Sequence, residues 1–230
     1  MMLASLTTEA RFNHEKKTMT NPSAFDGQAT EYDTWFDKHN DLYRAELEAV
    51  RSLVPIAGKG VEIGVGTGRF ALPLGISLGV EPAREMAEMA RRRGMDVREG
   101  VAEALPFGDN GFDYAVMVTV VCFLDDVAKA FHEAWRILKS GGVLVIGFID
   151  RESELGRIYE QKKERSVFYR SATFYSVSDL TALLRQAGFA EFAYRQTLFP
   201  DGPAALTVRE GFGDGGFVAI GAHKNRKGYV

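Results

Sequence analysis

An α/β architecture, a mostly parallel sheet with crossover helices, is predicted for this 230-residue chain by three features. From Lys59 onward, short apolar runs alternate with helical segments. Residues 143–149 are apolar throughout, as befits a strand covered on both faces. Two closing apolar runs lack a crossover helix between them, which makes that pair antiparallel. The composition, 46% hydrophobic and 26% charged, is that of a globular chain, and the length suits one domain with insertions.

Residues 1–20 are polar and aperiodic, and read as a disordered tail or an upstream start, with Met19 an alternative initiator. Residues 21–230 make a single domain, with an N-terminal cap at 21–55 and a helical insertion at 151–175. The first strand, 61–64, is short and ends in glycine. Pro73 leaves room for a helix of only about two turns between Gly68 and Ile76. A second strand, 76–80, ends at Glu81-Pro82. The helix after it buries Met86, Ala87 and Ala90 and closes on Arg91-Arg92-Arg93 before Gly94; these arginines suit the helix dipole better than a phosphate. Strands are expected at 96–99 and 112–121. Asp125 opens a helix with Val127, Phe131, Ala134 and Leu138 on one face, stopped by Lys139-Ser140-Gly141-Gly142. After strand 143–149 and the insertion, Ser176 and Asp179 have capping-box spacing. The helix they open buries Leu180, Leu183, Leu184 and Ala187 and stops at Gly188. Strands 189–197 and 216–222 follow, joined by a long loop holding Pro200, Gly202, Pro203 and the glycines between 211 and 216.

Against 28 Lys+Arg stand 31 Asp+Glu, a net charge of -3, so no chain-wide positive field exists to hold nucleic acid. No apolar run reaches the roughly 18 residues of a membrane span. The start does not read as an export signal, because polar residues follow Met1-Met2-Leu3-Ala4 at once. Cys122 alone cannot form an intrachain disulfide or a multi-cysteine metal site, suits a reducing cytoplasm, and reads as a small buried hydrophobe. His14, His39, His132 and His223 are too scattered for a metal cluster. Neither metal, membrane nor nucleic acid is therefore expected as a partner.

The most informative segment is Val61-Glu62-Ile63-Gly64-Val65-Gly66-Thr67-Gly68-Arg69-Phe70, three alternating glycines after a strand. Without a Cβ, glycine permits a tight turn and lets a ligand approach the backbone. Two nucleotide-type ligands compete for such a turn. Gly66-x-Gly68-x-x-Ala71 matches the dinucleotide fingerprint in its Ala-ending form. Read from Gly64, however, Arg69 takes the place of the last small residue, and Glu62 stands two residues before the first glycine. A carboxylate there repels a pyrophosphate and attracts a ligand with a cationic amino acid portion, which favours a sulfonium ligand over NAD. Glu81, ending the second strand, is placed to accept from both hydroxyls of a ribose, a feature of either ligand.

With these residues the sequence resembles the class I S-adenosylmethionine-dependent methyltransferases. The matching pieces are 61–68, Gly79-Val80-Glu81-Pro82, Ala102-Glu103-Ala104-Leu105-Pro106-Phe107 with Phe112-Asp113, and Leu138-Lys139-Ser140-Gly141-Gly142. The resemblance implies a doubly wound, mostly parallel seven-stranded sheet with an antiparallel last strand and helices on both faces. It implies S-adenosylmethionine as methyl donor, with S-adenosylhomocysteine as product. It further implies that Glu62 and the turn of Gly64, Gly66 and Gly68 hold the methionine portion, Glu81 and Pro82 the ribose side, and Ala102-Glu103 the adenine. Thr119 and Val120 would lie beside the donor methyl. One departure is Val101, where many relatives carry Asp or Asn, so adenine contacts should be mainly backbone and apolar.

In an open α/β sheet the crevice lies beyond the carboxyl ends of the strands, which places an acceptor near residues 119–123 and 150–151. Phe25, Tyr32, Trp35, Phe36 and Tyr43 precede the first strand and resemble the N-terminal cap of small-molecule methyltransferases, with Tyr32 covering the donor. Tyr159, Phe168, Tyr169 and Tyr175 offer a second wall. Methyl transfer from a sulfonium needs in-line positioning and exclusion of water, and a base only as an option. His39 and Asp150 are the candidates for one. The acceptor is expected to be a small molecule with a nitrogen or oxygen nucleophile. The rival readings are an NAD-dependent oxidoreductase, disfavoured by the antiparallel end and the lack of a substrate domain, and a non-catalytic nucleoside-binding regulatory module.

Overall fold

A computed structural model describes residues 27–166, 168–200 and 205–225. The expected tail with Met19, and Phe25, Gly202 and Pro203, lie outside the described residues. Two helices, α1 (Ala29–Lys38) and α2 (Asn40–Arg51), precede the sheet. The strands are β1 (Gly60–Ile63), β2 (Leu78–Val80), β3 (Asp96–Arg98), β4 (Phe112–Val118), β5 (Leu138–Ile149), β6 (Phe189–Thr197), β7 (Arg209–Glu210) and β8 (Phe217–Lys224). Helices α3 (Arg84–Arg92), α4 (Val127–Ile137), α5 (Glu154–Lys162) and α6 (Val177–Gln186) are interleaved with them.

The sheet order is β3-β2-β1-β4-β5-β8-β6-β7. The first five strands run parallel; β8 is antiparallel to both β5 and β6, with Ile146 opposite Ile220. Strand β5 explains why its sequence is apolar without alternation. Leu144, Ile146 and Phe148 join the core beneath α4 and α6, whereas Val143, Val145 and Ile149 join the core beneath α2 and α3. Covering both faces demands apolar side chains at every position. The order of strands reverses between β1 and β4, and the ends of these two strands therefore splay apart into a crevice.

The capping box expected at Ser176 is present: its Oγ accepts from Asp179 N at 3.1 Å, and its own N donates to Asp179 Oδ2 at 3.0 Å. Four expectations need correction. Residues 68–76 form turns rather than a short helix. Pro73 has no N–H to donate to the carbonyl of Arg69, which instead accepts from the Tyr43 hydroxyl at 2.5 Å. Strand β4 ends at Val118, three residues early, because Thr119 takes a positive φ of 52° and a 3-10 turn, Val121–Phe123, follows. The glycine pair read as a stop after α4 instead lies within β5, in a register-shifted start. Finally, the long closing loop contributes an eighth, two-residue strand, β7, which pairs with Arg195 and Gln196 at the sheet edge. Within the insertion, the helical part is α5 and one 3-10 turn, Lys163–Arg165.

Candidate functional site

The turn after β1 is built by backbone conformation that side chains oppose. Gly64 has φ 72°, and a Cβ there would lie 2.5 Å from Val120 Cγ2, so the turn closes against the end of β4 only with glycine. Gly66, with φ 54°, faces the ring of Tyr32, whose Cε1 would be 3.8 Å from an added Cβ. Gly68 also has positive φ, 84°, but an added Cβ would meet Met95 Sδ at 2.8 Å, so it serves packing against the end of α3.

Two buried carboxyls underlie this turn. Glu81 Oε2 accepts from Gly66 N at 2.8 Å and its Oε1 from Ala83 N at 2.9 Å, which fixes the turn against the end of β2. Burial raises its pKa, opposed by these two N–H groups. Glu62 is 2% exposed and accepts from the N–H of Ala71, yet its Oε2 has no partner. Burial, with the charge of Glu81 added, holds its pKa well above the usual carboxylate range. An orphaned buried carboxylate oxygen is costly, and a cationic group would relieve it.

Helix α1 is latched onto the turn by a buried ion network. Asp33 accepts from Arg69 Nε at 2.9 Å, from Arg69 Nη2 at 2.7 Å, from Arg93 Nη1 and Nη2 at 2.8 and 2.6 Å, and from Thr67 Oγ1 at 2.6 Å. Burial alone would raise the Asp33 pKa, but hydrogen bonds from Arg69, Arg93 and Thr67 outweigh it and hold it far below the usual range. Arg69 also reaches Asp37 at 2.8 Å. Arg93, read from sequence as a dipole complement, is thus half of this latch. The latch sets Tyr32, one residue before Asp33, over Gly66.

Together these parts enclose a cavity of about 480 Å³ at the carboxyl ends of β1, β2, β4 and β5. One end is lined by Gly64, Gly66, Glu81, Pro82 and Ala102, the middle by Thr119, Val120 and Tyr32. Thr119 keeps its positive φ although β-branched, a strain of roughly 1–3 kcal/mol that accompanies functional sites. Its side chain hydrogen-bonds that of Tyr32, whose hydroxyl is raised above its ordinary pKa chiefly by burial. The far end is an aromatic chamber of Trp35, Phe36, Phe70, Tyr159, Phe168 and Tyr169. Cap and insertion meet across it edge to face at Tyr32 and Phe168, 6.0 Å apart, and within the insertion Tyr159 packs edge to face on Tyr169 at 5.2 Å.

Helix α2 contributes an acid to this chamber, Glu46, 6% exposed. Burial pushes its pKa up to about 8. Between the ordinary value of 4.5 and this one, the folded chain keeps a proton that the unfolded chain has released. Stability therefore falls as pH rises through that window, by about 1.4 kcal/mol per unit. Glu46→Gln removes the loss: its melting temperature should match the wild type near pH 4.5 and exceed it increasingly up to pH 8, a gap on the order of 3 kcal/mol at pH 7. Thermal melts at pH 5, 6.5 and 8 measure it, and a gap that does not grow with pH contradicts the assignment.

Of the residues singled out from sequence, the cavity brings together Tyr32, Gly64, Gly66, Glu81, Pro82, Ala102, Thr119 and Val120, with Trp35, Phe36, Tyr159, Phe168 and Tyr169 as walls. Among the expected donor-binding residues and candidate bases, five do not reach its surface. Glu62 lies beneath the turn, and Gly68 packs on Met95. Glu103 turns away: its Oε1 accepts from Asp125 N at 3.1 Å and Asp126 N at 3.3 Å, tying down the start of α4. His39, at the α1–α2 junction, stacks on Trp35 with Nδ1 2.9 Å from Trp35 O. Asp150 is buried at the end of β5, where its carboxylate accepts from the N–H groups of Glu152 and Val177. Neither candidate base faces the chamber. Tyr175 lines a small separate recess with Cys122 and Phe174. Cys122 is buried, and its thiol is pushed up to about 12 by that burial, so it is not a thiolate.

Asp33 and Glu46 escape a reading of sequence alone. The signal for Glu46 was present, since Tyr43, Glu46, Ala49, Val50 and Leu53 recur on one helical face, and an acid on that apolar stripe is out of place. Asp33 leaves no such signal, because its partner Arg93 lies 60 residues away. Among the described residues, no group of three or more His, Cys, Asp or Glu could hold a metal ion, and no helix is long and apolar enough to cross a membrane.

A doubly wound sheet whose crevice joins a glycine turn, a strand-end acid and an aromatic chamber defines a nucleoside-using α/β enzyme. Comparison with known proteins makes this specific. Residues 61–146 match the methyltransferase domain family model. A solved structure from Thermotoga maritima, an S-adenosylmethionine-dependent methyltransferase named as a possible histamine N-methyltransferase, is 53% identical. It superposes with a TM-score of 0.84, over 88% of this chain and 99% of that one. Protein MJ1123 of Methanocaldococcus jannaschii is 45% identical over 88% of this chain and 99% of its own length. The ubiquinone/menaquinone biosynthesis C-methyltransferase of Rickettsia bellii is 25% identical over 79% of this chain. The chain belongs to the S-adenosylmethionine-dependent methyltransferases, and S-adenosylmethionine is its methyl donor.

Proposed function

We propose that this methyltransferase acts on a nitrogen or oxygen of a small molecule held in the aromatic chamber. The observation that carries the reading is the continuity of one cavity from the glycine turn and Glu81 to the aromatic walls. In this reading, the turn at Gly64 receives the amino acid end of the donor, and Glu62, buried beneath that turn, favours its cationic amine electrostatically without touching it. Glu81 takes the ribose hydroxyls with the lone pairs left free by Gly66 and Ala83. Pro82 and Ala102 flank the adenine, and Thr119 and Val120 stand at the junction with the chamber. Tyr32 covers that junction, held down by Asp33. Glu103 has no part in donor binding in this reading, since it does not line the cavity and its Oε1 holds the start of α4.

S-adenosylmethionine supplies a methyl group on a sulfonium, which a nucleophile displaces in line. The chain's part is to keep that nucleophile aligned and dry, worth several orders of magnitude without any fixed base. The rings of Tyr32, Phe168 and Tyr169 exclude water from above, while β4 and β5 close the floor. The Thermotoga relative, named for a nitrogen acceptor, supports nitrogen. Likeness to a quinone C-methyltransferase favours carbon as the second reading. Incubation with methyl-labelled donor and a panel of small amines, phenols and quinols tests both. Label on nitrogen or oxygen is expected; label found only on carbon, or no labelled product at all, overturns the proposal.

A further inference from the structure

Glu46 poses a question that donor binding leaves unanswered. It lines the cavity from α2, whereas the turn and the strand-end acid lie after β1 and β2. It is nine-tenths buried, lines the chamber, and has neither hydrogen bond nor ion pair among the described residues. Three phenol rings share its space: a charge on Glu46 acts on Tyr32 of α1, Tyr159 of α5 and Tyr169 beyond it. Two cations also line the cavity, but Lys162 is solvent-exposed and Lys163 is engaged by Glu160 at 2.6 Å. Neither pairs with Glu46.

We propose that the acceptor is an amine bound as its ammonium ion, paired with the Glu46 carboxylate and faced by the rings of Tyr32, Tyr159 and Tyr169; before methyl transfer the ammonium passes one proton to that carboxylate, which frees the nitrogen lone pair. This rests on the reading that the chamber holds the acceptor. A buried carboxyl without a partner costs stability, and a small chamber could dispense with it by carrying Gln or Leu at position 46. A cation repays that cost, and aromatic faces add to its binding when desolvated. A neutral alcohol or phenol recovers only an ordinary hydrogen bond from the same group, and a carboxylate ligand is repelled. The chamber therefore discriminates by charge as well as by shape.

A proton count follows. At pH 7 burial keeps Glu46 mostly protonated in the absence of ligand. An ammonium that pairs with the carboxylate expels this proton to solvent, one per amine bound, with nothing oxidised or reduced. Burial, and no charge among the described residues, is the cause of its shift. Above pH 8 the release disappears, because the carboxylate is already ionised.

Calorimetry on the full chain saturated with S-adenosylhomocysteine tests this, using benzylamine, 2-phenylethylamine and hexylamine, each beside its alcohol. Titrations in buffers of different ionisation enthalpy count protons. At least one amine should bind tenfold or more tighter than its alcohol at pH 7 and release close to one proton. Glu46→Gln, of the same shape, should bind S-adenosylhomocysteine as before, lose the preference for amine over alcohol and release no proton. No amine preferred in the wild type, or a preference that survives in Glu46→Gln, overturns the assignment while the donor site stands. Failure of S-adenosylhomocysteine to bind the wild type overturns the donor-site reading first, and this one with it.

Discussion

Asp33→Ala is expected to lower stability by about 3 kcal/mol, the low end for breaking a buried ion pair, and to weaken donor binding with it. The side chain is 11% exposed, and its two oxygens are clamped from opposite sides by Arg69 and Arg93. Removing it leaves two guanidinium groups partly buried, 21% and 30% exposed, without their shared counterion. Their residual exposure is the reason for choosing the low end. For a chain of this size the melting temperature should fall by roughly 10 °C. Donor affinity should fall because Asp33 joins α1 to the turn at Thr67, and Tyr32 stands over Gly66 only while that joint is closed. The dependence on pH has the opposite sign from that of Glu46. The Asp33 pKa is depressed in the folded chain, so its stabilisation is present above the unfolded value near 4 and lost on acidification. The gap between wild type and Asp33→Ala should therefore narrow below pH 4. A loss under 1 kcal/mol at pH 7, or a gap unchanged by acid, contradicts the latch. Asp33→Asn, which keeps one oxygen, should fall between.

What is legible in the sequence divides by range. The strands other than the two-residue β7 read well because each carries its own pattern, and β5 is recognisable by an apolar run that only two covered faces explain. The turn at Gly64 and Gly66 is legible because its conformational demand is local. Gly68 shares the motif but answers to Met95, a contact across 27 positions that no motif reports. Position misleads in the same way for Glu103 and Asp150. Both stand at strand or turn ends where ligands gather, yet neither lines the cavity, and each holds a nearby backbone N–H instead. His39 looks available because it falls in the aromatic cap, but it stacks on Trp35 outside the chamber. The latch and the buried acid on α2 are matters of tertiary contact. A single aspartate among the three acids of α1 carries no mark of two arginines converging on it. The turn at 68–76 shows the reverse, since Pro73 announced that the helix would be poor and only the Tyr43 hydroxyl explains what replaced it.

Glu81→Ala should reduce affinity for S-adenosylmethionine and S-adenosylhomocysteine by about 10² to 10⁴-fold, the largest binding effect expected of any single change at the site. Two ribose hydroxyls donating to one carboxylate make charge-assisted bonds of about 1.5–3 kcal/mol each. Gly66 N and Ala83 N fix the carboxylate in place and also favour its ionised form against the effect of burial. Because burial prevails and raises the pKa, donor affinity should decline on acidification at a higher pH than an exposed glutamate would dictate. The alanine variant also leaves those two N–H groups without acceptors, at a cost of about 1–3 kcal/mol each where water cannot reach them. Titration must therefore be made well below its melting transition. Glu81→Gln separates the two effects. It retains an acceptor for Gly66 and so keeps the turn, but loses the charge and one acceptor site, and should bind S-adenosylhomocysteine more weakly than wild type while melting close to it. Tight binding in Glu81→Ala, within threefold of wild type, would remove the ribose from Glu81 and move the nucleoside to another part of the cavity.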